Sequence, residues 1–365
     1  MDRRDTLCFA TNPDRRFRDW RAEVAGKIGT IDPLKLLVFS QEDADYAAML
    51  DVLVAVVPRW RSAYLSLDSL SFLPRIPPYA LESLQDLTLR LPVWGDDHTT
   101  AAFLNAARLR HINIQCTTQQ IRTLRMPWSQ LSNISLKGPS LEACLAALTQ
   151  CKNIVSAKFE AAAWTTVPSL TNIEITTLGQ LQDLTLELWE GWQLMPFFAH
   201  LALPGLTSLT LYLGYDLKWI STEFTKFQER SPHLQSFTIH GGEIGSISLL
   251  EALRHAPSLT RLSLHNCMSC FDDALISGLH YSGENTTVAP KLESLSVLHG
   301  ETHVDEDSLI AMIRSRWCIS PNIARWSRIY IDLINLNDAS GAHLELRAER
   351  MVQGLYIDVS VESEM

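Results

Sequence analysis

One phrase, Leu-x-x-Leu-x-Leu, recurs along this chain at a nearly constant interval and narrows the fold more than any other feature. The stretch Gly179–Leu213 carries two copies, Leu181-x-x-Leu184-x-Leu186 and Leu206-x-x-Leu209-x-Leu211, with an amphipathic spacer between them. The hexapeptide LQDLTL of Leu181–Leu186 also stands at Leu84–Leu89. The last two leucines of each phrase are spaced at period 2, so both face one side of a short strand. The first leucine turns the chain into that strand. A single unit cannot bury its leucines alone; it needs a neighbour above and below, which is the physics of a solenoid.

Further copies are Leu84-x-x-Leu87-x-Leu89, Leu109-x-x-Ile112-x-Ile114, Leu131-x-x-Ile134-x-Leu136 and Ile154-x-x-Ala157-x-Phe159. Leu234-x-x-Phe237-x-Ile239, Leu259-x-x-Leu262-x-Leu264 and Leu292-x-x-Leu295-x-Val297 complete the set. From Leu87 to Leu295 the fourth positions lie 25, 22, 23, 27, 25, 28, 25 and 33 residues apart. Most of these intervals fall in the roughly 20–29-residue range of leucine-rich repeats. The expectation is an α/β leucine-rich-repeat solenoid, a horseshoe with a parallel concave sheet and convex helices. Residues 1–33 form a charged N-terminal segment outside it, and residues 34–365 the solenoid, with atypical repeats at its C-terminal end.

The spacers agree with this. Ser140–Cys151 has Leu141, Cys144, Leu145 and Leu148 on one helical face behind a candidate Ser140 N-cap. Ile247–Ala256 and Asp305–Trp317 read as helices, the latter with acids in its first turn and arginines in its last, as the helix dipole prefers. Gln41–Pro58 and His343–Gln353 read as helices too. Leu34–Phe39, Trp326–Leu336 and Leu355–Val359 read as strands. Trp60 stands where other repeats carry the first leucine. Pro-x-Leu steps at Pro204, Pro232, Pro257 and Pro290 end helices and begin strands.

Composition limits the partners. Hydrophobic residues make up 46% of the chain and charged residues 20%, which is ordinary for a folded protein. The net charge of −10 argues against a general nucleic-acid binder, which needs a basic stripe to release counterions. A protein partner is the easier expectation. Seven scattered cysteines and a charged, non-apolar N-terminus favour a reducing compartment, cytoplasmic or nuclear. The longest apolar run, Met49–Val57, is interrupted by Asp51 and too short to span a bilayer, so no membrane role is expected.

On a solenoid strand the residues between the leucines face the concave side. Small hydroxyls dominate the middle of that face, and larger polar or aromatic groups its last column. That column, Arg90, Gln115, Lys137, Glu160, Glu187, Tyr212, His240 and His265, is the candidate partner-binding set. Trp94, Trp164, Trp189, Trp192 and Trp219 fall in loops after the strands and are expected to cover the end of the leucine core. His265-Asn-Cys267-Met-Ser-Cys270 lacks the second ligand pair of structural zinc. His240-Gly-Gly-Glu243 has no accompanying Gly-x-Ser-x-Gly elbow and is better explained as a turn. The acidic run Glu301–Asp307 lacks the ligand ladder of a calcium loop. No catalytic centre, cofactor or metal is expected.

The phrases Trp60–Leu67 (WRSAYLSL), Met126–Leu131 (MPWSQL) and Cys144–Asn153 (CLAALTQCKN) resemble the repeats of fungal F-box/leucine-rich-repeat proteins. The closing Leu355–Val359 is similar to their usual end, and the resemblance covers roughly residues 15–360. It implies the substrate-recognition repeats of a ubiquitin ligase subunit. Residues 1–40 hold neither the Leu-Pro-x-Glu opening nor the Cys-Arg-x-Trp end of an F-box. A Skp-type adaptor is therefore an expected partner only if an F-box lies upstream. The alternative is a free-standing repeat scaffold unconnected with ubiquitin transfer.

Overall fold

Each leucine phrase becomes a short strand that buries its phrase residues and leaves the intervening ones at least partly open to solvent. The structure, a computed structural model, describes residues 6–9, 34–39, 57–67, 73, 76–91, 101–162, 174–188, 194–214, 219–267, 270–283, 288–300, 304–317, 323–334 and 356–362. The chain divides into two compact units, Met1–Ala162 and Ala163–Met365.

In the first unit seven strands pair in sequence order, each parallel to the next. They are β1 (Thr6–Phe9), β2 (Leu34–Phe39), β3 (Trp60–Ser66), β4 (Asp86–Arg90), β5 (His111–Gln115), β6 (Asn133–Ser140) and β7 (Ser156–Ala162). Pairing thus begins before the 33/34 boundary read from the sequence. A four-residue strand is too short to carry a three-leucine phrase, so β1 leaves no periodic signal.

The second unit contains β8 (Thr176–Thr177), β9 (Asp183–Leu188), β10 (Leu201–Ala202), β11 (Ser208–Leu213), β12 (Ser236–Gly241), β13 (Arg261–His265), β14 (Ser294–Gly300), β15 (Arg328–Ile334) and β16 (Tyr356–Glu362). Here β9, β11, β12, β13, β14, β15 and β16 pair in that order, all in parallel. The short β8 and β10 pair with one another.

Register joins equivalent phrase positions. Leu87, Ile112, Ile134 and Ala157 are successive partners in the first unit. Leu184, Leu209, Phe237, Leu262, Leu295 and Ile329 are successive partners in the second. All are buried, and each buried Leu, Ile or Phe among them contributes about 1.5–3 kcal/mol. This is an α/β leucine-rich-repeat solenoid architecture, built from the ladder expected of the sequence. Trp60 does take the first-leucine position, fully buried ahead of Ala63 and Leu65. Trp326 does the same ahead of Ile329 and Ile331, which makes one more copy of the phrase. Tryptophan in place of leucine conceals that copy from a search for leucines.

The spacers carry α1 (Thr118–Thr123), α2 (Leu141–Leu148), α3 (Leu194–Ala199), α4 (Ser221–Glu229), α5 (Ser246–Arg254), α6 (Asp273–Leu279) and α7 (Glu306–Trp317). From α3 to α7 each helix packs on the next. Rings seal this layer: Phe198 stacks on Phe227 at 4.4 Å, and Phe224 on Phe237 of β12 at 5.7 Å. The expected helices at Ser140–Cys151, Ile247–Ala256 and Asp305–Trp317 are α2, α5 and α7. Residues 41–56 and 343–353 lie outside the described residues, and Val57–Arg59 is a turn of 3-10 helix.

One capping expectation needs correction. Ser140 has the extended backbone of an N-cap, but its hydroxyl is buried and bonds to no helix amide. The Ser140 amide donates to Thr118 Oγ1 at 2.7 Å, which ties the start of α2 to the preceding repeat without using the hydroxyl.

Side chains also clamp one spacer to another. Gln130 Nε2 donates to the Ala106 carbonyl, and Asn153 Nδ2 to the Ser129 carbonyl. Arg230 donates to the carbonyls of Leu201 and Phe198. Close backbone approach does the same at Gly205, where an added Cβ would lie 2.3 Å from the Gly179 carbonyl oxygen. Each side-chain clamp joins a carbonyl of one spacer to a side chain of the next.

Candidate functional site

Parallel register stacks like position over like position, so the last column of the strand face forms two continuous rows. In the first unit Ser66, Arg90, Gln115, Lys137 and Glu160 are successive partners. In the second Glu187, Tyr212, His240 and His265 follow one another, and Leu298 comes next. The eight residues singled out from sequence are thus brought together as two groups of four.

The second row is aromatic. Tyr212 and His240 stack almost flat, with centroids 4.1 Å apart and planes 6° apart. His265 continues the stack from His240 at 4.3 Å, tilted by 49°. The spacing between sheet neighbours, about 4.8 Å, is near the ring-stacking distance, so the ladder itself imposes this arrangement. Burial lowers the pKa of His240 below the usual histidine value, which favours the neutral ring.

The first row is charged. Lys137 Nζ lies 2.6 Å from Glu160 Oε1. The Arg90 guanidinium lies over the Tyr64 ring, 5.2 Å from its centroid. Both pairs are held in place by strands one ladder step apart.

A second grouping, on the neighbouring column, is not among the candidates read from the sequence. Ser62 Oγ donates to Asp86 Oδ2 at 3.0 Å, and His111 Nδ1 lies 2.6 Å from Asp86 Oδ1. An ionised carboxylate only accepts, so the His111 proton sits on Nδ1. The order of the three groups decides what they can do. Ser62 bonds to the aspartate and not to the imidazole, so the three do not stand in the serine–imidazole–carboxylate order of a catalytic triad. The grouping is a polar display on the strand face. The sequence does hold a signal for it, because Asp86 and His111 occupy the same offset in successive phrases.

His240-Gly241-Gly242-Glu243 forms the turn expected of it, with φ of +70° at Gly241 and +78° at Gly242. A Cβ at Gly241 would lie 2.5 Å from the Leu213 carbonyl oxygen, so a side chain is excluded there twice over. Cys267 and Cys270 are both buried. The Cys267 thiol points at the Gly241 carbonyl at 3.3 Å, and that of Cys270 at the Cys267 carbonyl at 3.3 Å. Among the described residues no group of three His, Cys, Asp or Glu side chains is placed to hold a metal ion.

Of the five loop tryptophans only Trp219 lies in the described residues. It packs on Phe224 at 4.6 Å, at the edge of the phenylalanine cluster, as the covering role requires. Trp94, Trp164, Trp189 and Trp192 lie outside the described residues. No helix among the described residues is long and apolar enough to cross a membrane.

No protein-family model matches the chain, and no curated protein matches it. Among solved structures it is similar to an internalin (inlF) from Listeria monocytogenes, at 12% identity and a TM-score of 0.45. That match covers 93% of this chain and 92% of the internalin. It is also similar to TLR13 in its complex with ssRNA13, at 15% identity and a TM-score of 0.36, over 84% of this chain and 46% of that one. At these scores neither likeness supports an argument, and the leucine-rich-repeat fold stands on the strand register and buried phrases.

Proposed function

We infer that this protein is a repeat scaffold that binds another protein through the solvent face of its sheet. The observation that carries the reading is the alignment of Glu187, Tyr212, His240 and His265 into one row by the register. Aromatic side chains with polar edges give large contact area with little rotamer entropy to lose, the property common at interface hot spots. The row from Arg90 to Glu160 adds charge and hydrogen-bonding groups in the first unit. No constellation of nucleophile, base and oxyanion donors accompanies either row among the described residues, so the reading has no catalytic step.

The test is affinity purification with the full chain and with Tyr212→Ala/His240→Ala. Both substituted side chains lie on the solvent face, so the fold survives. At least one protein retained by the wild type is expected to be lost, or reduced tenfold or more, with the variant. Identical recovery from both would contradict the reading.

A finer version rests on the resemblance of the phrases at 60–67, 126–131 and 144–153 to F-box/leucine-rich-repeat proteins. On it, the chain is the substrate-recognition repeat region of an F-box-type ubiquitin ligase subunit. Co-purification of a Skp-type adaptor with the full-length protein supports that version. A stable partner without any such adaptor favours a free-standing scaffold.

A further inference from the structure

The spacer side of the first unit carries a groove of about 440 Å³ that the sheet-face reading does not use. Its floor is apolar and crosses three successive spacers, with Leu104 from the first, Leu124 and Trp128 from the second, and Ala147 of α2 from the third. Leu104 is 46% exposed, unusual for a leucine that follows the buried Ala102 and Phe103. A volume of this size lies in the range of pockets that hold small ligands, about 300–1,000 Å³, and accommodates one or two bulky side chains.

Arg122 and Arg125 line the same groove, and neither forms an ion pair among the described residues. Local composition reinforces them. Residues 101–155 contain six Lys and Arg and a single acid, Glu142, a net charge of +5 in a chain whose total is −10. The floor needs an apolar occupant and the rim an anionic one. A nucleic-acid or lipid phosphate meets the second need and leaves the floor wet. A segment with leucine or aromatic residues beside carboxylates meets both, since arginine accepts carboxylates through two parallel hydrogen bonds.

We propose that this groove docks an acidic amphipathic segment of a partner protein, with its apolar side chains on Leu104, Leu124 and Trp128 and its carboxylates on Arg122 and Arg125. The surface is separate from the row of strand side chains, so the protein holds two binding faces. Occupation of one leaves the other free.

Panning randomised displayed peptides against the full chain tests the proposal. The recovered sequences are expected to be enriched in Asp or Glu beside Leu, Phe or Trp. As synthetic fluorescent peptides they are expected to bind Arg122→Glu/Arg125→Glu at least tenfold more weakly than wild type, and to weaken as salt rises. Leu104→Asp weakens them likewise, whereas Lys291→Glu, an exposed position in the second unit, leaves them unchanged. All four positions are at least partly exposed, and circular dichroism verifies that each variant is folded. Recovered peptides without acidic enrichment, or with equal affinity for the arginine variant, would overturn the proposal. So would binding of anionic phospholipid vesicles that depends on both arginines when no peptide is recovered, which would assign the groove to a membrane surface.

Discussion

Leu184→Asp is expected to unfold the middle of the second unit, while Thr185→Asp, the next residue along, leaves it standing. Leu184 is 1% exposed and is paired in register with Leu209, which in turn partners Phe237. Truncating a buried leucine to alanine already costs about 2–5 kcal/mol. Placing a carboxylate there adds the cost of an unpaired charge in an apolar stack, so the loss exceeds about 5 kcal/mol. Thr185 lies half-buried on the opposite side of the strand. Its substitution by Asp adds repulsion from Asp183 and Glu187 in solvent, about 1 kcal/mol or less. Urea unfolding followed by circular dichroism separates the two. Equal behaviour would mean that the period-2 assignment of this strand is wrong.

The second large effect lies at Arg316. This side chain is fully buried in α7, and its hydrogen bonds go to backbone carbonyls. Nε donates to the Leu279 carbonyl at 2.6 Å, Nη1 to that of Ala289 at 3.0 Å, and Nη2 to that of Val288 at 2.5 Å. Leu279 ends α6, so one acceptor is the negative end of a helix dipole. Ala289 has a φ of +43°, a conformation that alanine rarely adopts, and the guanidinium holds its carbonyl there. Burial lowers the Arg316 pKa to about 10, still well above neutral pH, so the group is charged when it makes these bonds. The Trp326 ring lies 5.9 Å away and covers it.

Arg316→Met keeps the bulk and removes the donors. Three buried carbonyls then lose charge-assisted hydrogen bonds, each worth about 1.5–3 kcal/mol. Relief of the buried charge returns part of this, leaving a loss on the order of 3–5 kcal/mol. Arg316→Lys restores only part of it, because an ammonium cannot reach three separated acceptors as a planar fork does. The measurement is urea unfolding monitored by tryptophan fluorescence. An unchanged midpoint for the methionine variant would show that the carbonyls need no partner from this side chain.

These two positions mark what is and is not legible in the sequence. The strands are legible because burial on one face of a strand leaves a period-2 trace, and stacking repeats that trace at a fixed interval. The row of candidate residues follows from the same interval, since parallel register carries a phrase position onto its equivalent. The same offset places Ser62, Asp86 and His111 in one column, but it does not reveal which of their atoms bond.

From its place in the last turn, Arg316 reads as a complement to the helix dipole. Its spacing after Leu309, Met312 and Ile313, all buried, puts it on the apolar face of α7 instead. That spacing is a usable signal, but arginine is so seldom fully buried that its charge outweighs it. Ser140 departs in the opposite direction. Its local pattern is that of a cap, but its hydroxyl bonds to no helix amide, and its own amide is held by Thr118 of the preceding repeat. β1 is hidden because its four residues are fewer than one phrase. The groove at Arg122 and Arg125 is masked by the overall negative charge, which averages away a local excess of the opposite sign.

The claim on which the rest depends is that equivalent phrase positions are neighbours in the ladder. Thr210 and Thr238 are paired residues on the solvent face of β11 and β12. Adjacent strands lie about 4.8 Å apart, a separation within the roughly 4.4–6.8 Å between Cα atoms that a disulfide spans. Mild oxidation of Thr210→Cys/Thr238→Cys, with the linkage mapped by mass spectrometry, is the most direct measurement. A bond between the two introduced thiols is predicted to form readily, and none in Thr210→Cys/Ser236→Cys, where the register is displaced by two residues. A bond in the displaced pair and not in the aligned one would contradict the ladder, and with it both rows of the proposed binding face.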